Sequence, residues 1–255
     1  VSLNGGTVRD SAGNDANLAF TAPTVGGVNI NRTAPIVAVV AGAGTTSKVG
    51  QVIEFTATFA QAVTVTGTPT IGLTVGTATR NASYVSGTGT AVIRFQYVVQ
   101  AGDLDTDGIA IPAAVISLPG TPAATITDSV AAPVLTFNPP DTSTILVDGV
   151  APTVTAVTPP APGNYGNAST LDITLTLSEA VTVVTTSGTP SIPLTIGGAV
   201  RQATYNAAAS SGNTAVFRYT IASATDVFAN GSFTIGQVSL NGGTVRDSAG
   251  NDANL

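Results

Sequence analysis

Eighteen consecutive residues, VSLNGGTVRDSAGNDANL, occupy positions 1–18 and recur unchanged at positions 238–255. Position 1 therefore returns at position 238, a period of 237 residues in a chain of 255. A weaker period divides that unit. VIEFTATFAQAVTVTGTPTIGLTVG, from Val52, matches LDITLTLSEAVTVVTTSGTPSIPLTIGG, from Leu171. TATRNASYVSGTGTAVIRFQYVV, from Thr77, matches AVRQATYNAAASSGNTAVFRYTI, from Ala199. These matches pair Pro69 with Pro190, Arg80 with Arg201, Tyr84 with Tyr205 and Arg94 with Arg218. Ala34 recurs as Ala151, 117 residues on, so the long period holds two diverged copies of one domain type.

This frame divides the chain into three parts. Residues 1–33 read as the C-terminal strands of a preceding domain, residues 34–150 as one domain and residues 151–255 as a second. The second domain is expected to lack its last strand, the equivalent of residues 19–33, and to have its open edge filled by the next repeat. The boundaries fall at the proline-bearing stretches NRTAP and DGVAP, short stiff linkers that favour domains arranged end to end.

The local periodicity is that of strands. Ile93, Phe95, Tyr97 and Val99 alternate with Val92, Arg94, Gln96 and Val98, and Phe217, Tyr219 and Ile221 alternate with Arg218 and Thr220. A period of two over this length predicts half-buried antiparallel strands. The same alternation sets Glu54 and Asp172 on outer faces. β-branched residues abound, and Gly, Pro and Asn clusters recur about every ten residues, the spacing of turns in a sandwich. A copy of about 117 residues suits seven or eight short strands. The expected fold is all-β: tandem immunoglobulin-like β-sandwich domains.

Composition narrows function by exclusion. Charged residues make up 9% of the chain, against roughly 25% in ordinary soluble proteins. The surface must then be built largely from Thr, Ser, Asn and Gly. Net charge is -6 and Lys48 is the sole lysine, which disfavours nucleic acid as a partner. No apolar run approaches the ~20 residues of a membrane span. With no histidine and no cysteine, neither a Ser-His-Asp set nor a thiol nucleophile can be assembled. Glu54 and Glu179, the two glutamates, fall in different copies, against a glycosidase pair. The chain reads as non-enzymatic.

Two stretches carry candidate metal chemistry. DLDTDG, residues 103–108, sets Asp103, Asp105 and Asp107 at alternate positions before a glycine, like the opening of a calcium loop. Ala114 occupies the position where such a loop supplies a bidentate glutamate, so a solvated inter-strand loop is the competing reading. The second copy, DVFANG, keeps Asp226 and Asn230 but sets Phe228 between them. RDSAGNDAN, residues 246–254, predicts a hairpin with Gly250 at positive φ and Asp247 accepting turn amides. Its functional alternative has Asp247, Asn251 and Asp252 holding a cation near a domain junction. Glu179 ends a strand and suits either a cation or a turn.

The segments APTVTAVTPP, SEAVTV, GTPSIPLTIGG, RQATY and VSLNGGTVRDSAGNDANL resemble those of bacterial Ig-like tandem repeats from giant extracellular surface proteins, the large repetitive adhesins and exoproteins. The first copy departs from this pattern, with Gln61 in place of Glu179 and TITDSVAAPV in place of TVRDSAGNDANL. The resemblance implies a secreted, cell-surface module that spaces, stiffens or binds, and calcium as its cofactor at loops or junctions. Its expected partners are neighbouring repeats of the array, laterally packed copies and host or surface ligands. A calcium-dependent or glycan-binding adhesion module is the alternative to a structural fibre or filament repeat.

Overall fold

The computed structural model describes residues 3–22, the backbone of 37–41, and residues 46–128, 133–222, 226 and 233–255. The chain divides into two compact units, Val1–Arg32 and Thr33–Leu255. In the first, a turn at Asn4 and Gly5 precedes a small hairpin closed by the bridge Arg9↔Asp15, and the residues of this stretch are exposed except half-buried Leu18.

The second unit is all-β among its described residues, apart from one 3-10 turn at Ala207–Ala209. Its first lobe comprises β1 (Val37–Ala41), β2 (Val52–Thr66), β3 (Thr70–Val75), β4 (Ala78–Ser86), β5 (Thr90–Val98), β6 (Leu104–Asp105), β7 (Ile116–Ser117), β8 (Thr125–Thr127), β9 (Phe137–Asn138) and β10 (Val147–Asp148). Its second comprises β11 (Val154–Thr158), β12 (Thr170–Leu177), β13 (Thr182–Val184), β14 (Ser191–Ile196), β15 (Ala199–Tyr205), β16 (Thr214–Thr220), β17 (Thr234–Ile235) and β18 (Thr244–Arg246).

The main sheet of the first lobe runs β7-β3-β4-β5-β2-β1-β9. Every pairing in it is antiparallel except β1 with β9. The far half of β2 leaves this sheet to pair with β8. The second lobe repeats the plan as β11-β12-β16-β15-β14-β17, with β13–β18 as a separate pair. Alternation buries one face of each strand. In β2 the inward residues Ile53, Phe55, Ala57 and Phe59 are all 5% exposed or less. Each lobe has its own core, one centred on Phe55, Ile71, Leu73 and Phe95, the other on Ile173, Leu177, Leu194 and Phe217. Val147 of the β6–β10 pair and Val245 of the β13–β18 pair close the two cores from the side facing the main sheets. Each lobe is thus a β-sandwich, with apolar residues interleaved between two layers.

Strand register revises one sequence match. Phe55 opposes Phe95 while Ile173 opposes Phe217, and Ile53 opposes Tyr97 while Leu171 opposes Tyr219. Phe95 is therefore the counterpart of Phe217, and Gln96, rather than Arg94, is the counterpart of Arg218. The edge-on pairs Tyr84–Phe95 and Tyr205–Phe217, with ring centroids 6.2 and 6.1 Å apart, agree with this register. The reason is charge placement. Arg218 opposes Asp172 and grips it through two hydrogen bonds of 2.7 Å, whereas Arg94 reaches Glu54 diagonally, at 2.8 Å. A guanidinium spans either offset, so arginines can be matched in sequence without being equivalent in the sheet.

Candidate functional site

The DLDTDG segment does not gather its three carboxylates. Along an extended segment, alternate residues lie about 6.6 Å apart, so their carboxylates converge on one ion only if the chain curls. Here the chain enters β6, and nearby donors take each group separately. Asp103, 1% exposed, accepts from Arg80 Nε at 3.0 Å and the Gln100 amide at 2.9 Å, and from the Tyr97 hydroxyl. Asp105 accepts from the Gly76 amide at 2.6 Å and the Gly108 amide at 2.8 Å, fastening the β3–β4 turn to this loop. At Gly76 φ is +55°, and a Cβ would lie 2.1 Å from the Leu104 carbonyl oxygen, so no side chain fits there. Asp107 is exposed.

The second lobe rebuilds the same triad. Asp226 accepts from Arg201 Nε at 2.7 Å, from the Ala222 amide at 2.9 Å and from the Tyr219 hydroxyl. The shared Asp of DLDTDG and DVFANG is thus the centre of an Arg–Asp–Tyr cluster in each sandwich; Phe228 and Asn230 lie outside the described residues. Burial pushes the Asp103 carboxyl up, but hydrogen bonds from Tyr97, the Gln100 amide and Arg80 outweigh it and hold the group below its ordinary range. For Asp226 the Tyr219 hydroxyl and the Ala222 amide lead, and the carboxyl falls to about 2. Burial, together with the adjacent Asp103, raises the Tyr97 hydroxyl to about 12.

The hairpin of the repeated segment is present twice, with matching internal bonds. Arg9 Nε donates to Asp15 Oδ1 at 2.6 Å, and Arg246 Nε donates to Asp252 Oδ1 at 2.6 Å. Asn14 gives its amide and side-chain nitrogen to Asp10, as Asn251 does to Asp247. Gly13 and Gly250 take φ of +89° and +94°. Surroundings separate the copies: Asp10 is exposed, whereas Asp247 and Asn251 are 4% and 5% exposed.

Burial of the second copy comes from the junction of the two lobes. Lys48 of the first lobe donates through Nζ to the Gly250 carbonyl at 2.9 Å. The Val49 amide donates to Asn251 Oδ1 at 3.2 Å, and Asn251 Nδ2 reaches the Asp148 carbonyl at 2.7 Å. Asn251, in the second lobe, thereby satisfies two backbone groups of the first. Gly149 lets the start of the linker pack tightly on the first lobe, since a Cβ there would meet the Gln100 carbonyl oxygen at 2.4 Å.

At this junction the carboxylates of Asp148, Glu179 and Asp247 offer oxygens within 4.8 Å of one another, the one such cluster among the described residues. Burial, then the charges of Asp148 and Asp247, raise the Glu179 carboxyl. An all-oxygen donor set suits a hard cation such as calcium, which takes six to eight oxygens and would draw the rest from carbonyls or water. Asp148, Glu179 and Asp247 would hold it, and its charge would offset their repulsion. Of the residues proposed from sequence, Asp247 enters the cluster and Asn251 supports it. Asp252 instead pairs with Arg246 and has a side chain 70% exposed. Asp148 was not singled out by sequence; its one signal is its position in VDGVAP, immediately before the linker.

No family model matches the chain, and no curated protein matches it. Among solved structures, the human OSCAR ligand-binding domain is similar at 12% identity, over 80% of this chain and 96% of that one, with a TM-score of 0.23. So low a score carries no argument about fold or function. No helix among the described residues is long and apolar enough to cross a membrane.

Proposed function

We propose that this chain is a non-enzymatic structural repeat of a long extracellular, cell-surface fibre or filament. One observation carries the reading: the hairpin that docks between the lobes, through Gly250 and Asn251, belongs to the eighteen residues that recur unchanged. Any tandem array of the 237-residue unit therefore carries the same docking hairpin in every repeat. Bonds that span a short linker resist bending, as a spacer requires. The resemblance to bacterial Ig-like repeats and the lack of histidine and cysteine point the same way. Low surface charge favours lateral packing of such rods over solitary stalks. The test is solution scattering from concatenated chains of one, two and four units. A stiff fibre gains a constant length per unit, whereas growth with the square root of the number of units would overturn the reading.

A second reading is favoured by the carboxylate cluster: a calcium-dependent adhesion module, in which Asp148, Glu179 and Asp247 bind the ion and fix the angle between lobes. Calorimetric titration of the chelated chain with calcium tests it. The expected result is one saturable site per chain, lost in Glu179→Gln. No heat at millimolar calcium, with an unchanged melting temperature, would remove the ion from the junction.

A further inference from the structure

The chain enters and leaves the first lobe on neighbouring segments that run in the same direction. β1, the strand after the NRTAP linker, pairs in parallel with β9, Val37 facing Phe137 and Ala38 facing Asn138. Further along, Ser47 bridges Val147 in parallel, at the same offset of 100 residues. The Ser47 amide donates to the Leu146 carbonyl at 2.9 Å, and the Asp148 amide donates to the Ser47 carbonyl at 2.9 Å. Every other strand pair among the described residues is antiparallel. The remaining parallel contact, the bridge Thr153↔Asn254, lies where the second lobe begins.

Both segments are also seated in the sandwich. β1 pairs with β2 over Ala38–Ala41. On the other side Phe137, Ile145 and Val147 are 8%, 3% and 1% exposed. The Phe137 amide donates to the Ala114 carbonyl at 3.0 Å and the Ile109 amide to the Ile145 carbonyl at 3.2 Å, while β10 pairs with β6. Neither segment can swing away without leaving the core.

This topology fixes how a pull on the linkers is felt. In a parallel pair, the entering end of one segment and the leaving end of the other lie at opposite ends. Tension between the NRTAP and DGVAP linkers therefore draws the segments lengthwise past each other and loads their cross-bonds together. A pair pulled apart from one end unzips bond by bond instead. Resistance to a pull is set by the unfolding rate rather than by equilibrium stability, so it depends on direction.

We propose that the first lobe is a load-bearing module, in which tension between its linkers is carried in shear by residues 37–38 against 137–138 and by Ser47 against 146–148. β1 must also part from β2 before the lobe opens, so the sheet around β3, β4 and β5 stays folded until the parallel pair slips. The proposal rests on the reading of the chain as a fibre repeat and names the contact that would bear that fibre's load.

Single-molecule pulling on the full chain tests it. The sequence has no cysteine, so an introduced pair sets the direction of force. Thr21→Cys with Val150→Cys pulls the first lobe through its linkers, in shear. Thr46→Cys with Val150→Cys peels the same segments apart from the end where Ser47 and Asp148 are bonded. All three positions are exposed. At one loading rate the shear pair should show a peak force about two times that of the peeling pair. Equal forces in the two directions overturn the proposal. Ser47→Pro removes the amide that Leu146 accepts, and should lower the shear peak towards the peeling value. An unchanged shear peak in folded Ser47→Pro also overturns it; should that variant not fold, the comparison of directions decides alone. Scattering from concatenated chains reads the fibre separately. Stiff growth with equal forces sinks the shear contact alone, whereas a flexible array removes the load it is proposed to bear.

Discussion

Asp103 and Asp226 tie the pH response of each sandwich to one buried cluster. Their carboxyls are depressed, Asp226 to about 2, so the stability they contribute is fully present above the unfolded carboxyl range near 3.8. It is lost as pH falls from there through the folded values. Melting temperature should therefore drop steeply between about pH 4 and pH 2, and Asp226→Asn should flatten the second lobe's share of that drop. Tyr97, raised from 10.0 to about 12, has the opposite sign: its contribution holds below pH 10 and disappears as pH climbs through 12. Tyr97→Phe removes one donor from buried Asp103 and should cost about 1–2 kcal/mol in urea unfolding. An unchanged midpoint would show that Arg80 and the Gln100 amide suffice.

At the scale of elements, the duplicated hairpin is an experiment the chain performs on itself. One sequence makes the same bonds exposed at residues 9–15 and buried at 246–252, so its geometry is local: an Asx-type turn, a glycine at positive φ and an Arg–Asp clasp. What burial changes is the cost of breaking it. Asp247→Ala strands turn amides inside the junction and should lose about 1–3 kcal/mol. Asp10→Ala, its counterpart at the exposed copy, should leave the global unfolding midpoint where it is. Equal effects would show that burial does not set the cost of breaking the turn. The strands were legible in the same way, because Ile93, Phe95 and Tyr97 sit on one side of a two-residue period. Their pairing was less so: matching Arg94 to Arg218 by eye ignored a two-residue offset that only the Phe95–Phe217 register reveals.

For the whole molecule, the junction decides whether the lobes behave as one body. Asn251 links the Val49 amide, the Asp148 carbonyl and Asp247, and Lys48 adds a bond to Gly250. Asn251→Ala should uncouple the lobes, splitting a single calorimetric transition into two. A transition that stays single in Asn251→Ala and in Lys48→Ala would assign the coupling to the linker backbone instead. Glu179, raised by burial and by two neighbouring carboxylates, adds an opposite sign. Its folded carboxyl favours the proton, so its share of stability is present below the unfolded value and lost as pH rises through the folded one. Glu179→Gln should therefore stabilise the calcium-free junction at neutral pH, measured as a higher melting temperature.

The sequence by itself determined the all-β class, the two related copies, the inward faces of the strands and the hairpin's internal bonds. Each depends on contacts a few residues apart, or on a pattern repeated along the chain. Tertiary structure decided which carboxylates meet. Asp103 and Asp105 sit two apart yet bind different partners, because the extended chain separates them and a buried Tyr and Arg claim the first. Asp148, Glu179 and Asp247, far apart in sequence, converge because the repeated hairpin of the second lobe bonds Lys48, Val49 and Asp148 of the first.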